Sequence, residues 1–181
     1  MRRSSMRVSA LMAVALAAGG VTAFMAAPAY AAPLQSCAKV SGTATFAPGL
    51  TNAPKNNVIT AKGAETGCTP AASTGGAGAL TASIKVTAGS CAKLATGKQK
   101  LTGTAQSTWK NKKISKYSVT FTTGTGPTAT TATITGTVTS GLFVGKKITG
   151  QVKFTIQGKP NCTSTPVKSV AFKSTKPFVI S

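Results

Sequence analysis

Ile134-Thr-Gly-Thr-Val138 and Ile148-Thr-Gly-Gln-Val-Lys-Phe-Thr-Ile156 flank the loop Ser140-Gly-Leu-Phe-Val-Gly-Lys-Lys147. In both arms the apolar side chains fall on alternate positions, the period of a strand with one buried face. The stretch reads as an antiparallel hairpin. Working outward from it, similar segments recur at short intervals between Gly, Pro, Asn and Ser, the pattern of an all-β sandwich or barrel. Eight strands are predicted, over 39–46, 58–67, 79–88, 101–109, 115–122, 130–139, 148–156 and 167–174, and helix has little support. Threonines such as Thr133, Thr135, Thr137 and Thr139 fill the outward positions, where a β-branched polar residue suits a solvated strand face.

The expected core consists of Val40, Phe46, Ile59, Leu80, Ile84, Val86, Leu101, Trp109, Tyr117, Val119, Phe121, Ile134, Val138, Ile148, Val152, Phe154, Ile156, Val170 and Phe172, arranged as two facing layers. A loose echo runs through the strands: Ser41-Gly-Thr-Ala-Thr, Thr102-Gly-Thr-Ala-Gln, Thr135-Gly-Thr-Val-Thr and Thr149-Gly-Gln-Val-Lys. Its spacing is too irregular for a solenoid. A glycine inside a strand marks a bulge, a bend or a close backbone approach.

Met1 to Arg7 carries three arginines, Val8 to Ala27 is apolar, and Ala29-Tyr30-Ala31 supplies small residues for cleavage. Residues 1–31 therefore read as a secretory signal peptide that is removed, in preference to a membrane anchor. No transmembrane segment is expected after processing. Residues 32–181 form one domain, large enough to bury about 70% of its unfolded surface. Leu34-Gln35-Ser36-Cys37 is close to a lipobox, but lipidation of Cys37 would leave an odd number of cysteines in an exported chain. Strand parity places Cys37 and Cys68 at one end of the domain and Cys91 and Cys162 at the other, so the disulfides Cys37–Cys68 and Cys91–Cys162 are predicted. A hairpin turning near Asn52 sets Phe46 opposite Ile59 and Cys37 opposite Cys68.

The charge is lopsided. After removal of the signal, eighteen lysines stand against Glu65 alone, a formal charge of +17 with no arginine, histidine or aspartate. Lysine is a solvated point charge without the planar fork that reads guanine edges, so specific nucleic-acid recognition is not expected. The partners indicated are anionic cell-wall polymers or membrane head groups, met by non-specific attraction. Parity gathers Lys110, Lys112, Lys113, Lys146 and Lys147, with Phe143, at the Cys37–Cys68 end as a candidate polyanion-binding surface. The competing expectation there is that Leu142 and Phe143 fold back to cap the core.

Catalytic chemistry is poorly provided for. Without histidine, aspartate or a second glutamate, the Ser-His-Asp, Cys-His and paired-carboxylate solutions all fall away. Ser36/Lys39, Ser90/Lys93 and Ser107/Lys110 match Ser-x-x-Lys, but that pair works across one helical turn in a closed pocket, and these lie in strands or loops. No catalytic residue, no metal and no cofactor are expected, since histidine and CxxC spacing are both missing. Glu65 is expected at the surface near lysines, the alternative being a buried carboxylate that promotes a Lys–Asn isopeptide crosslink.

Ser41-Gly-Thr-Ala-Thr-Phe-Ala-Pro-Gly-Leu50 and Thr137-Val-Thr-Ser-Gly-Leu-Phe-Val-Gly-Lys146, with the cysteine placement and the signal, resemble the small secreted immunoglobulin-like β-sandwich proteins of actinomycetes, a largely uncharacterised group. The resemblance implies an immunoglobulin-like antiparallel sandwich and brings no active site with it, and the alternation fits seven or eight strands. A looser similarity is to the apoprotein carriers of enediyne antibiotics, two-disulfide sandwiches that are acidic where this chain is basic. The expected protein is an exported, non-catalytic sandwich held at the cell envelope by lysines. The alternatives are a carrier of a small apolar ligand, lined by Trp109, Phe143 and Tyr117, and a Ser/Lys hydrolase.

Overall fold

A computed structural model describes residues 32–96, 99–124 and 130–181. The signal peptide read at residues 1–31 lies outside the described residues. All eight predicted strands are present, as β1 (Gln35–Leu50), β2 (Lys55–Thr69), β3 (Ala77–Gly89), β4 (Lys100–Trp109), β5 (Ile114–Thr123), β6 (Thr131–Gly141), β7 (Lys147–Ile156) and β8 (Val167–Ile180). Two short helices are additional, α1 (Ala71–Thr74) between β2 and β3 and α2 (Cys91–Thr96) between β3 and β4.

The sandwich expectation is corrected by the pairing of the outermost strands. Each strand pairs antiparallel with the next, and β8 pairs with β1 from Gln35↔Ile180 to Leu50↔Val167, closing the sheet into an eight-stranded barrel. Alternation cannot separate the two architectures, because both demand one apolar face. Closure removes both sheet edges, which a sandwich would leave exposed. β1 and β8 also run beyond the predicted 39–46 and 167–174, and the added ends carry buried Cys37, Leu50, Phe178 and Ile180.

Most expected core residues point inward. Ile156 is the exception at 44% exposure, since it ends β7 where the barrel opens. The hairpin register is as read from the sequence, with Phe46↔Ile59 and Cys37↔Cys68, and both predicted disulfides form. The first ties β1 to β2 at one end. At the opposite end, Cys91–Cys162 joins α2 to the β7–β8 loop, while the Cys91 N–H donates to the Thr51 carbonyl at 2.9 Å and the Asn52 N–H to the Cys162 carbonyl at 2.9 Å.

The glycine echo acquires a physical reason. Within it, Gly103 and Gly136 sit at inward positions where the neighbouring strand crosses almost on top of them. A Cβ there would lie 2.3 Å from the Ser83 carbonyl oxygen and 2.2 Å from that of Ser118. Closing a small barrel requires strands to coil sharply, and a missing side chain on the concave side permits it. Gly136→Ala is expected to destabilise the domain by about 1–3 kcal/mol through overpacking against backbone. Urea denaturation checks this, and unchanged stability would mean that the strands can separate at no cost.

Candidate functional site

The barrel interior is not filled. An apolar cavity of about 150 Å³ runs through its middle. Its origin is a row of alanines on adjacent strands, Ala44↔Ala61↔Ala82↔Ala105, each directly opposite the next in the ladder from β1 to β4. Four methyl groups side by side leave a space that larger side chains would occupy. The other half of the barrel supplies Phe121, Ile134, Phe154 and Phe172, all lining the same cavity. The polar lining residues are Ser90, Gln99, Thr123 and Tyr117. The first three belong to the Cys91–Cys162 end, where the Gln99 N–H donates to Thr123 Oγ1 at 2.9 Å.

Of the residues expected to line a carrier site, only Tyr117 does so. Trp109 is buried below the cavity, donating from Nε1 to Ser115 Oγ at 2.9 Å, and Phe143 packs edge-on against it with ring centroids 6.4 Å apart. The alanine row was missed because alanine carries little hydrophobic signal. It is legible once the predicted strands are set in meander register.

Beneath the cavity lies a sealed polar layer. Glu65 is fully buried, which corrects its expected surface position. β2 turns it inward between Gly63 and Cys68, opposite Val40 of β1, and its Oε1 accepts from Ser107 Oγ at 3.0 Å. A Cβ on Gly78 would lie 2.7 Å from Glu65 Oε2, so glycine makes room for the carboxyl. Glu65 Oε2, Tyr117 OH and Gln35 Nε2 are buried without a hydrogen-bond partner. Burial pushes the Glu65 carboxyl up to about 7 from 4.5, with the Ser107 hydroxyl pulling the other way. Burial also raises the Tyr117 hydroxyl, followed by the charge of Glu65.

The loops carrying Lys110, Lys112, Lys113, Lys146 and Lys147 do meet at the Cys37–Cys68 end, and all five lysines are exposed. Phe143, on the loop between them, is less exposed than the lysines. With Leu142 it is half-buried against Trp109 and the core, which is the capping arrangement. The Leu142 N–H donates to the Ile114 carbonyl at 2.9 Å, and Ser115 Oγ donates to the Leu142 carbonyl at 2.8 Å, fixing the loop as a plug. Val144, 60% exposed, is the apolar residue left at the tip.

The three Ser-x-x-Lys matches have structural roles. Ser90/Lys93 falls on the first turn of α2 and not in a strand or loop as expected, but Ser90 caps that helix, accepting from the Lys93 N–H at 3.3 Å, and Ser107 donates to Glu65. Ser36 sits in the β1–β2 ladder opposite Thr69. Lys39, Lys93 and Lys110 are all exposed. No group of three or more His, Cys, Asp or Glu residues suited to a metal lies among the described residues. Compared with known proteins, the chain matches no family model, no curated sequence and no solved structure.

A carboxyl with a raised folded-state pKa binds its proton more tightly in the fold than in the unfolded chain. It therefore contributes stability that is fully present below about pH 4.5 and is lost as pH rises through about 7. The rise from 4.5 to about 7 corresponds to about 3 kcal/mol. Glu65 is the only side-chain carboxyl in the chain, which also has no histidine. Unfolding free energy measured in urea is expected to fall by about that amount between pH 4.5 and 8. It stays level in Glu65→Gln, and equal slopes in the two proteins would refute the assignment.

Proposed function

We propose that this is an extracellular binding protein that carries a small, flat, uncharged apolar molecule inside the barrel. The observation that carries the reading is the cavity between the alanine row and Phe121, Phe154 and Phe172. An apolar space of about 150 Å³ takes a benzene-sized guest and otherwise stays dry. Eight strands give a barrel just wide enough either to be filled by side chains or to hold one small ligand. The near absence of polar atoms in the lining selects against charged ligands, whose desolvation nothing there would offset. The two disulfides fit an oxidising, extracellular setting, in keeping with the signal peptide read from the sequence.

Aromatic hydrocarbons such as toluene or naphthalene are the probes of choice. A ligand present at a hundred times its Kd stabilises by about 2.7 kcal/mol, a rise in Tm of about 5 to 10 °C for a domain of this size. Ala82→Leu fills the space and is expected to abolish that rise while leaving the ligand-free Tm equal or higher. A shift of equal size in Ala82→Leu would place the ligand elsewhere, and no shift with any apolar probe would sink the carrier reading.

A second reading concerns the outside. All the described lysines are exposed, and the chain's single acid is buried, so the described surface has no side-chain carboxylate to neutralise them. Such a surface recruits its counter-charge from the surroundings, which supports association with anionic envelope polymers. Binding to purified cell walls is expected to disappear when their anionic polymers are stripped and to weaken steeply with salt. Binding indifferent to both treatments would reduce the charge to a solubility feature.

A further inference from the structure

We propose that the outer face of β7, β8 and β1 is a binding site for the phosphate groups of an anionic polymer, centred on Lys153 and Lys173. The proposal rests on the surface reading above and gives it an address away from the lysine-rich loops. In the β7–β8 ladder Lys153 stands directly opposite Lys173, both outward and exposed. Directly opposed like charges are unfavourable across a strand pair unless an ion of opposite sign lies between them. No carboxylate side chain is available to do so, because Glu65 is the only one and it is buried.

The ground between the lysines is shaped as well as charged. Lys153, Lys173, Ser41, Thr155 and Thr175 line one shallow recess on the barrel wall. On its other side Lys173 is opposite Ser41 of β1, so hydroxyl donors border the recess. β8 is irregular at its edge. Between Val152↔Ser174 and Thr149↔Val179 it has two more residues than β7, and Ser174 accepts from the Val40 N–H at 3.0 Å in place of a regular ladder bond. Bulges re-aim side chains, and here Thr175, Lys176 and Pro177 are exposed in succession.

Ammonium groups with hydroxyls around a concave spot suit a tetrahedral oxyanion held by several donors. The lysines continue along the wall, since Gln151 of β7 faces Lys176, and Lys39 lies on β1 between the positions paired to Phe178 and Lys173. A strip of this kind suits a repeating phosphate chain. It is less suited to a lipid surface, because the most exposed large apolar residue, Val144, belongs to the loop at the end of the barrel, and Ile156, exposed where β7 ends, falls on the alternate positions shared with Val152 and Phe154 and not with Lys153 and Thr155.

The test is binding of fluorescently labelled long-chain polyphosphate by anisotropy across a salt series. Three proteins are compared: wild type, Lys153→Gln/Lys173→Gln, and Lys85→Gln/Lys100→Gln. The control pair removes the same charge from exposed positions on β3 and β4. The expected result is a Kd raised at least tenfold by the first pair and less than threefold by the control, with the salt dependence flattened only in the first. Circular dichroism confirms that both variants fold. Equal losses in the two variants would overturn the site while leaving the general surface reading standing. No binding by wild type would overturn both, and binding to phosphatidylglycerol vesicles but not to polyphosphate would overturn the site in favour of a membrane surface.

Discussion

The backbone ladder between β8 and β1 is the constraint on which the rest of this structure depends. Until it forms, the chain is a curled seven-pair meander with two open edges and no defined interior. Its register runs from Gln35↔Ile180 at one rim to Leu50↔Val167 at the other, and both rims are finished by buried apolar residues. The pairing joins the first and last strands, so it has the longest loop-closure cost of any contact in the domain. Residues that could lower that cost recur at the right places. Gly103 and Gly136 let the strands coil, and the irregular end of β8 absorbs the mismatch in length between the closing strands.

Closure also sorts the chemistry. In a barrel every residue is either inside or outside, and this chain assigns nearly all its charge to the outside. The apolar side chains face inward and Thr, Ser and Lys face outward, the reverse of a barrel that crosses a bilayer. Lysines crowded without carboxylate neighbours repel one another and strain the compact state. Two disulfides offset this by restricting the unfolded chain, one closing a separation of 31 residues and the other of 71. The single acid is inside, where burial favours its neutral form, so the carboxyl contributes no relief to the surface repulsion below about pH 7.

Much of the fold was legible because it is local. Strand positions follow from alternation, and Phe46↔Ile59 and Cys37↔Cys68 follow from one turn near Asn52. Barrel and sandwich were not separable, since the partner of β1 lies at the far end of the chain and the face pattern is the same for both. Glu65 misled for a different reason. A lone acid among lysines looks like a surface residue, and its burial depends on Ser107 and on the space over Gly78, two strands that only the tertiary register brings alongside. Phe143 reads as an exposed loop tip until Trp109 is placed beneath it.

The emptiness of the interior follows from the same register. Any one of Ala44, Ala61, Ala82 and Ala105 would be an unremarked small residue in a strand. The meander sets all four side by side, and their neighbours cannot shift to fill the gap because a closed sheet has no free edge along which to slide. An open sandwich with the same four alanines could bring its two layers closer together and lose the space. A barrel holds its radius by strand number and stagger, so the missing volume persists as a cavity. Of the polar residues that line it, Ser90, Gln99 and Thr123 lie at the Cys91–Cys162 end, opposite the end that carries Lys110, Lys112, Lys113, Lys146 and Lys147. On the reading proposed here, occupation of the interior and attachment by the lysine-bearing surface do not obstruct each other, since the barrel wall separates the two.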